Sequence, residues 1–384
     1  MINPKKKYYS NKKLKRKLKS DFLETKLKTT SSYKSKTSPS IKNRGFTNRK
    51  QQQLNYPFPI ILTLFCLTLF ILVVPSIIVL TLGTGPSGTK EASEEEMALT
   101  DEESISVAVM RTKADVVEDV PLENYIVGVV AAEMPVDFEL EALKAQALAA
   151  RTYTVSHLMG NNKETNYDIT DTIQHQVYKN DKELQKQWGS AYEKNMEKIK
   201  SAVKATEGEI LTYNEEPIMP AFFSMSNGYT ENSEDYWENE LPYLRSVESP
   251  WELENPKLTA QETFSIEELE ELLEISIADK AATDIVLSRK PSKRVEQLTI
   301  EDNSFTGREI RDKLGLRSSD FSVTQKNDHF IFTTKGNGHG VGMSQFGADG
   351  MAKEGKNYQD IVKYYYQGIE ISNIDEAVPT LVSK

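Results

Sequence analysis

Residues 58–82 (FPIILTLFCLTLFILVVPSIIVLTL) contain no charged side chain. At about 1.5 Å rise per residue, a helix of that length exceeds the roughly 30 Å hydrocarbon core of a bilayer. A cleaved export signal is the competing reading, but its apolar core is about 7–15 residues and its basic region is short. Here the apolar run is longer and a basic segment of 57 residues precedes it. The reading is one uncleaved transmembrane anchor, with Pro75 a kink that membranes tolerate.

Charge supports that topology. Residues 1–57 hold 17 Lys and Arg against Asp21 and Glu24, a net charge of +15. The whole chain has 47 basic and 57 acidic residues, which leaves 30 and 55, or −25, for the remainder. The positive flank places the N-terminus in the cytoplasm and everything after residue 83 across the membrane. The arm (KKLKRKLK at 12–19) also suits nucleic acid, but it is poor in aromatics and abuts the span. A disordered segment lying on anionic lipid is the preferred reading, with no nucleic-acid partner. The single cysteine, Cys66, lies inside the apolar run. That removes cysteine nucleophiles and cysteine-ligated zinc from the exported part, and no metal and no cofactor are expected.

Residues 83–103 read as an acidic tether. From Ser104 to Met110 polar and apolar residues alternate, as in a strand. Pro121 opens a helical pattern that Pro135 must end, because the residue before proline is pushed out of helical geometry. An Ala-rich helix is expected over 138–159, shorter helices over 182–206 and 265–279, and a last helix over 357–367. The stretch 281–334 is strand-rich, around a helical turn at GREIRDKLGL. Helices and strands mix without βαβ alternation, so the fold class is α+β, with a strand-rich subdomain over about 253–334 and a tail at 373–384.

Three constellations carry candidate chemistry. Glu133 stands in AAEMP, at the end of an apolar helix. The negative end of the helix dipole and burial both favour a protonated carboxyl there, the form a general acid needs. A local salt bridge or cap is the bland alternative. The second, DTIQHQVY at 171–178, offers Asp171 and His175. It also reads as the edge of a core strand, and with Asp168 it makes only a weak metal set. The third is FFSMSNGYT at 222–230, where Ser224, Ser226 and Asn227 stand at an Asn-Gly turn and could line a groove or simply cap a loop; apart from it, GHGVGMSQFGA at 338–348 sets His339, Ser344 and Gln345 among glycines that suit a turn beside a ligand or a plain tight turn. A Ser/His/Asp triad assembled from Ser224 or Ser344, His339 and Asp171 lacks the usual nucleophile elbow.

Taken together, YIVGVVAAEMPVDFELEALKAQALAARTY, DTIQHQVY, FFSMSNGYTENSEDYW, LPYLRSVESPW, GREIRDKLGLRSSDF and GNGHGVGMSQFGADGMAKEGKNYQDIVKYYYQG resemble the stage II sporulation protein D family (SpoIID-type peptidoglycan lytic transglycosylases). The matching segments run in order through residues 104–372. The resemblance implies a catalytic domain with a glycan-binding groove. It would cut peptide-free peptidoglycan strands between N-acetylmuramic acid and N-acetylglucosamine, leaving a 1,6-anhydro end. It assigns Glu133 as the catalytic residue. It suggests Gln146, Arg151, Asp171, His175, Ser224, Ser226, Asn227, His339, Ser344 and Gln345 as substrate-binding residues. It further implies septal wall remodelling during engulfment from the mother-cell membrane, with a wall amidase and a membrane scaffold protein as partners. From the residues alone, Asp171, Glu231 and Asp235 remain candidates for the second carboxylate of a hydrolase. A non-catalytic glycan-binding activator of an amidase and a serine amidase also remain open.

Overall fold

The computed structural model describes residues 105–160, 165–278 and 283–382. The basic arm, the expected span at 58–82 and the tether at 83–103 lie outside the described residues. No helix among the described residues is long and apolar enough to cross a membrane.

The described chain is α+β, built from short sheets around two hydrophobic clusters. β1 (Ser106–Arg111) and β2 (Val116–Pro121) form an antiparallel hairpin. Pro121 then caps helix α1 (Leu122–Glu133). Met134 leaves the helix with extended backbone, as the following Pro135 requires. Helix α2 (Leu140–Gly160) starts two residues later than expected and runs through the middle of the larger cluster. Ala142, Ala145, Ala147, Ala149 and Ala150 are all fully buried. Small side chains let the flanking elements approach closely, so one helix can serve as a common spine. β3 (Ile169–Thr170) adds in parallel to β1.

The expected helix over 182–206 is two helices, α3 (Asp181–Trp188) and α4 (Tyr192–Lys204), broken at Gly189 with φ +54°. β4 (Glu209–Tyr213) and β5 (Glu216–Pro217) follow, and β6 (Phe222–Phe223) leads into the SNG turn.

β7 (Thr259–Ser265) and α5 (Ile266–Leu273) begin the second cluster. It continues through β8 (Ile285–Arg289), β9 (Val295–Ile300), β10 (Asn303–Thr306), α6 (Gly307–Leu314), β11 (Phe321–Lys326) and β12 (His329–Lys335). These strands form two antiparallel sheets, ordered β10-β9-β8 and β11-β12-β7. Both helices start with a capping box, Ser265 with Glu268 and Thr306 with Glu309.

The chain then returns to the first cluster. β13 (Met343–Ser344) pairs in parallel with β6, and α7 (Gln345–Lys353) and α8 (Tyr358–Tyr365) pack against α2. β14 (Glu370–Asn373) closes the sheet with β4 and β5. The expected tail from 373 is folded: Ile374 and Val378 are buried in the larger cluster.

Candidate active site

Glu133 ends α1, and its carboxyl is half-buried beside the 171–178 segment. Val177 N–H donates to its Oε1 at 2.8 Å. Burial pushes the carboxyl above its ordinary range, and the Val177 hydrogen bond offsets only part of that. The carboxyl is therefore biased toward the protonated form, as its place in the sequence suggested.

The 171–178 segment is not a strand edge. Past β3 it runs through turns and irregular backbone that lie along α1. The Tyr178 ring stacks on Tyr125 with centroids 5.1 Å apart. Gly128 makes this approach possible, because a Cβ there would stand 2.4 Å from Tyr178 Cε2 and 2.6 Å from the Lys179 carbonyl. On the other side, Arg111 lies over the Tyr178 ring at 4.9 Å and pairs with Asp171, Glu118 and Glu183. Asp171 accepts from Arg111 Nε at 3.1 Å and from Thr112 N–H at 3.0 Å. Both its oxygens are thus engaged. His175 Nδ1 meets the Thr170 hydroxyl at 2.8 Å, and its ring lies edge-on to His157. Burial, followed by neighbouring His157, lowers the His175 pKa.

Several of the expected binding residues face into the fold. Arg151 is fully buried, with Nε and Nη2 each 2.7 Å from a different Glu123 oxygen and Nη1 3.1 Å from the Glu209 carbonyl. That fork holds α1 to α2 and to β4 rather than facing a groove. Gln146 is fully buried and accepts from Gln345 Nε2 at 3.3 Å, joining α2 to α7. Ser226 and Ser344 are fully buried around a carboxylate that sequence reading missed, Glu252. Its Oε1 accepts from Ser344 Oγ at 2.7 Å and from Ser226 N–H at 2.8 Å. Ser249 Oγ donates to the same carboxylate. Little in the sequence marks this glutamate among the many in the chain, since only Ser249 is a local partner and the other two groups come from 26 and 92 residues away.

Asn227 is buried too, donating to the Ser292 carbonyl and to Asp320 in the second cluster. Ser224 is half-buried, and its carbonyl accepts from Phe346 N–H. His339 is enclosed by Phe223, Tyr236 and Trp237, with ring centroids 5.4–5.7 Å away. Its Nδ1 accepts from Val341 N–H at 3.1 Å, and the ring also bonds the Phe222 backbone. Burial, then the Arg311 and Arg294 charges, push its pKa down to about 4. With Ser344 on Glu252, Asp171 on Arg111 and His339 on backbone groups, no Ser/His/Asp triad forms.

The glycines of the last motif are required by geometry. Gly340 has φ +92°, and a Cβ there would fall 2.4 Å from the Arg294 guanidinium. Arg294 comes from β8–β9 of the second cluster and also donates to the Tyr229 carbonyl at 3.1 Å. The other two candidate carboxylates lie here. Glu231 is buried, takes a 2.8 Å hydrogen bond from Ser292 and faces Arg294 at 4.0 Å. Asp235 pairs with Lys290 at 3.4 Å. Neither shares a hydrogen-bond partner with Glu133 among the described residues.

A family model described as "Stage II sporulation protein" matches residues 110–213, the part that contains Glu133 and the 171–178 segment. Stage II sporulation protein D of Bacillus amyloliquefaciens is 44% identical over 341 residues, covering 85% of this chain and 99% of that protein. The Bacillus subtilis protein of the same name is 43% identical over 337 residues, covering 84% and 98%. A Bacillus subtilis protein named "Amidase enhancer" is 29% identical over 303 residues, 64% of this chain and 40% of its own length. With near-complete coverage of both sporulation proteins, the chain belongs to the stage II sporulation protein D family and so to sporulation.

Proposed function

We propose that this protein is a lytic transglycosylase that cuts peptide-free peptidoglycan glycan with Glu133 as its acid and base. One observation carries the reading: Glu133 is a half-buried carboxyl with a raised pKa, while the three candidates for a second carboxylate are each engaged, Asp171 by Arg111 and Thr112, Glu231 by Ser292 and Asp235 by Lys290. A glycoside hydrolase usually needs a second free carboxylate as base or nucleophile. A transglycosylase needs only one. Protonated Glu133 gives its proton to the glycosidic oxygen as the C1–O bond breaks and the electron pair leaves with the departing sugar. The C6 hydroxyl oxygen of the remaining sugar bonds to C1, and its proton returns to Glu133. No water is consumed, and the carboxyl is regenerated.

The substrate, the bond between N-acetylmuramic acid and N-acetylglucosamine, follows from the family resemblance. So does the setting: residues 58–82 anchor the protein in the mother-cell membrane, with the folded part facing the septal wall during engulfment. Ends lighter than the hydrolysis product by one water, read by mass spectrometry and lost in Glu133→Gln, are the expected products. Free reducing ends would sink the proposal.

The similarity to the protein named "Amidase enhancer" supports a second role, stimulation of a wall amidase. If both roles exist, Glu133→Gln removes glycan cleavage and leaves amidase stimulation intact. Loss of both together would argue against separate roles.

A further inference from the structure

A buried arginine costs free energy unless acceptors meet its N–H groups. Arg294, in the turn between β8 and β9, is 3% exposed. Its Nη1 donates to the Tyr229 carbonyl at 3.1 Å and faces Glu231 at 4.0 Å. Its Nε has no hydrogen-bond partner among the described residues. Gly340 packs on the group without serving as that partner. A Cβ there would be almost equally close to Cζ, Nη2 and Nε, so Gly340 covers the plane of the guanidinium and does not lie in line with its N–H bonds. Among the described residues, no acceptor meets the Nε–Nη2 edge.

The same arginine forms part of the wall of a cavity of about 470 Å³. That volume lies in the roughly 300–1,000 Å³ range of small-ligand sites. Residues 231–236 bring Glu231, Asp235 and Tyr236 to one side of it, and β9, β10 and α6 of the second cluster form most of the other. The remaining charges around it are matched. Asp235 pairs with Lys290 at 3.4 Å, and Asp312 lies 3.8 Å from Arg308 and 3.7 Å from Arg311. Glu309 closes the capping box on Thr306, Glu231 accepts from Ser292 Oγ at 2.8 Å, and Glu296 accepts from Ser288 Oγ at 3.4 Å. What remains unanswered is a fixed pair of side-by-side N–H donors on a permanent cation. Such an edge matches the two oxygens of one carboxylate, held bidentate. A sugar hydroxyl or an amide offers it a single oxygen.

We propose that this cavity is a carboxylate subsite that takes the free lactyl carboxylate of N-acetylmuramic acid, with the Nε–Nη2 edge of Arg294 as its anchor. This rests on the peptidoglycan glycan being the substrate. On a strand that still bears stem peptides the lactyl carboxyl is an amide. One of its two oxygens is then replaced by an N–H, which cannot accept from Arg294 and sets donor against donor. The subsite thus supplies a chemical reason for a preference for peptide-free strands. Muramic acid alternates with glucosamine along a strand, so the cavity and Glu133 can engage different sugars of one strand.

The test compares two ligands on the full-length chain carrying Glu133→Gln, which keeps strands intact during a calorimetric titration. One is peptide-free glycan, and the other is the same glycan with its lactyl carboxyls reduced to alcohols. Native glycan should bind roughly ten- to hundredfold more tightly, the worth of a hydrogen-bonded charge. Adding Arg294→Lys, which keeps the charge and loses the paired edge, should bring the two ligands to the same, weaker affinity. Equal binding of both glycans without the Arg294 change would overturn the inference, and that comparison decides alone if Arg294→Lys does not fold. Preference for native glycan that survives in a folded Arg294→Lys chain would overturn it too. A free stem peptide that displaces native glycan, and does so only when Arg294 is present, would give the cavity to peptide and overturn the assignment. If the protein with Glu133 intact cleaves no glycan but prefers the carboxylate form through Arg294, the transglycosylase reading falls and the subsite stands. Cleavage without that preference would sink the subsite alone.

Discussion

Glu133 is held in a form that suits catalysis and not stability. Its ordinary pKa is 4.5, and burial raises it in the folded state. The stability due to the neutral carboxyl is therefore complete below about 4.5 and is lost as pH rises through the raised value. Glu133→Gln should melt higher than wild type at pH 8 and about equally at pH 4, while glycan cleavage drops by about 10²–10⁴-fold. Differential scanning calorimetry and product analysis on the same samples check both. His339 works in the opposite direction. Its pKa of about 4 lies below the ordinary 6.5, so the unfolded chain takes the proton first. Stability should fall as pH drops from about 6.5 to about 4, and His339→Gln should flatten that part of the curve. Arg151 makes a third case. Arg151→Met strands Glu123, whose side chain is 14% exposed, and should cost about 3–5 kcal/mol in chemical denaturation. The KM for glycan should stay the same where the variant is folded.

At the scale of elements, the site depends on one irregular segment pressed against one helix. Gly128→Ala places a methyl where the Tyr178 ring and the Lys179 carbonyl already stand. Overpacking of this kind costs about 1–3 kcal/mol. It should also pull the Val177 N–H from Glu133, so cleavage falls more than the melting temperature explains; thermal melts and rates measured together decide. Helix α1 and Glu133 were legible in the sequence because Pro121 and Pro135 bracket the helix by local chemistry. The role of DTIQHQVY was not, because its contact with Glu133 is a backbone N–H, which no side chain announces. Arg151, Ser226 and Ser344 looked like ligand groups for a related reason. A polar residue that bridges buried elements and one that lines a groove have the same sequence pattern, and only partners such as Glu123 and Glu252 tell them apart.

On the scale of the whole molecule, the second cluster reaches into the first through Arg294, which lies against Gly340 and Tyr229. The α+β class and the strand-rich stretch were readable because strands β8, β9, β11 and β12 are short runs rich in β-branched and aromatic residues. β7, paired along its length with β12 from about 70 residues away, was not, since its own sequence is mostly polar. Residues 58–82 should hold the full chain in the membrane fraction, and a fragment starting at residue 105 should appear in the soluble fraction; equal partitioning of the two would remove the anchor. The central claim is that the sugar's own hydroxyl, and not water, attacks the glycosidic carbon. Cleavage of peptide-free glycan in heavy-oxygen water tests this most directly. The new ends should carry no label in wild type, and Glu133→Gln should form none; labelled ends would mean hydrolysis and contradict the account.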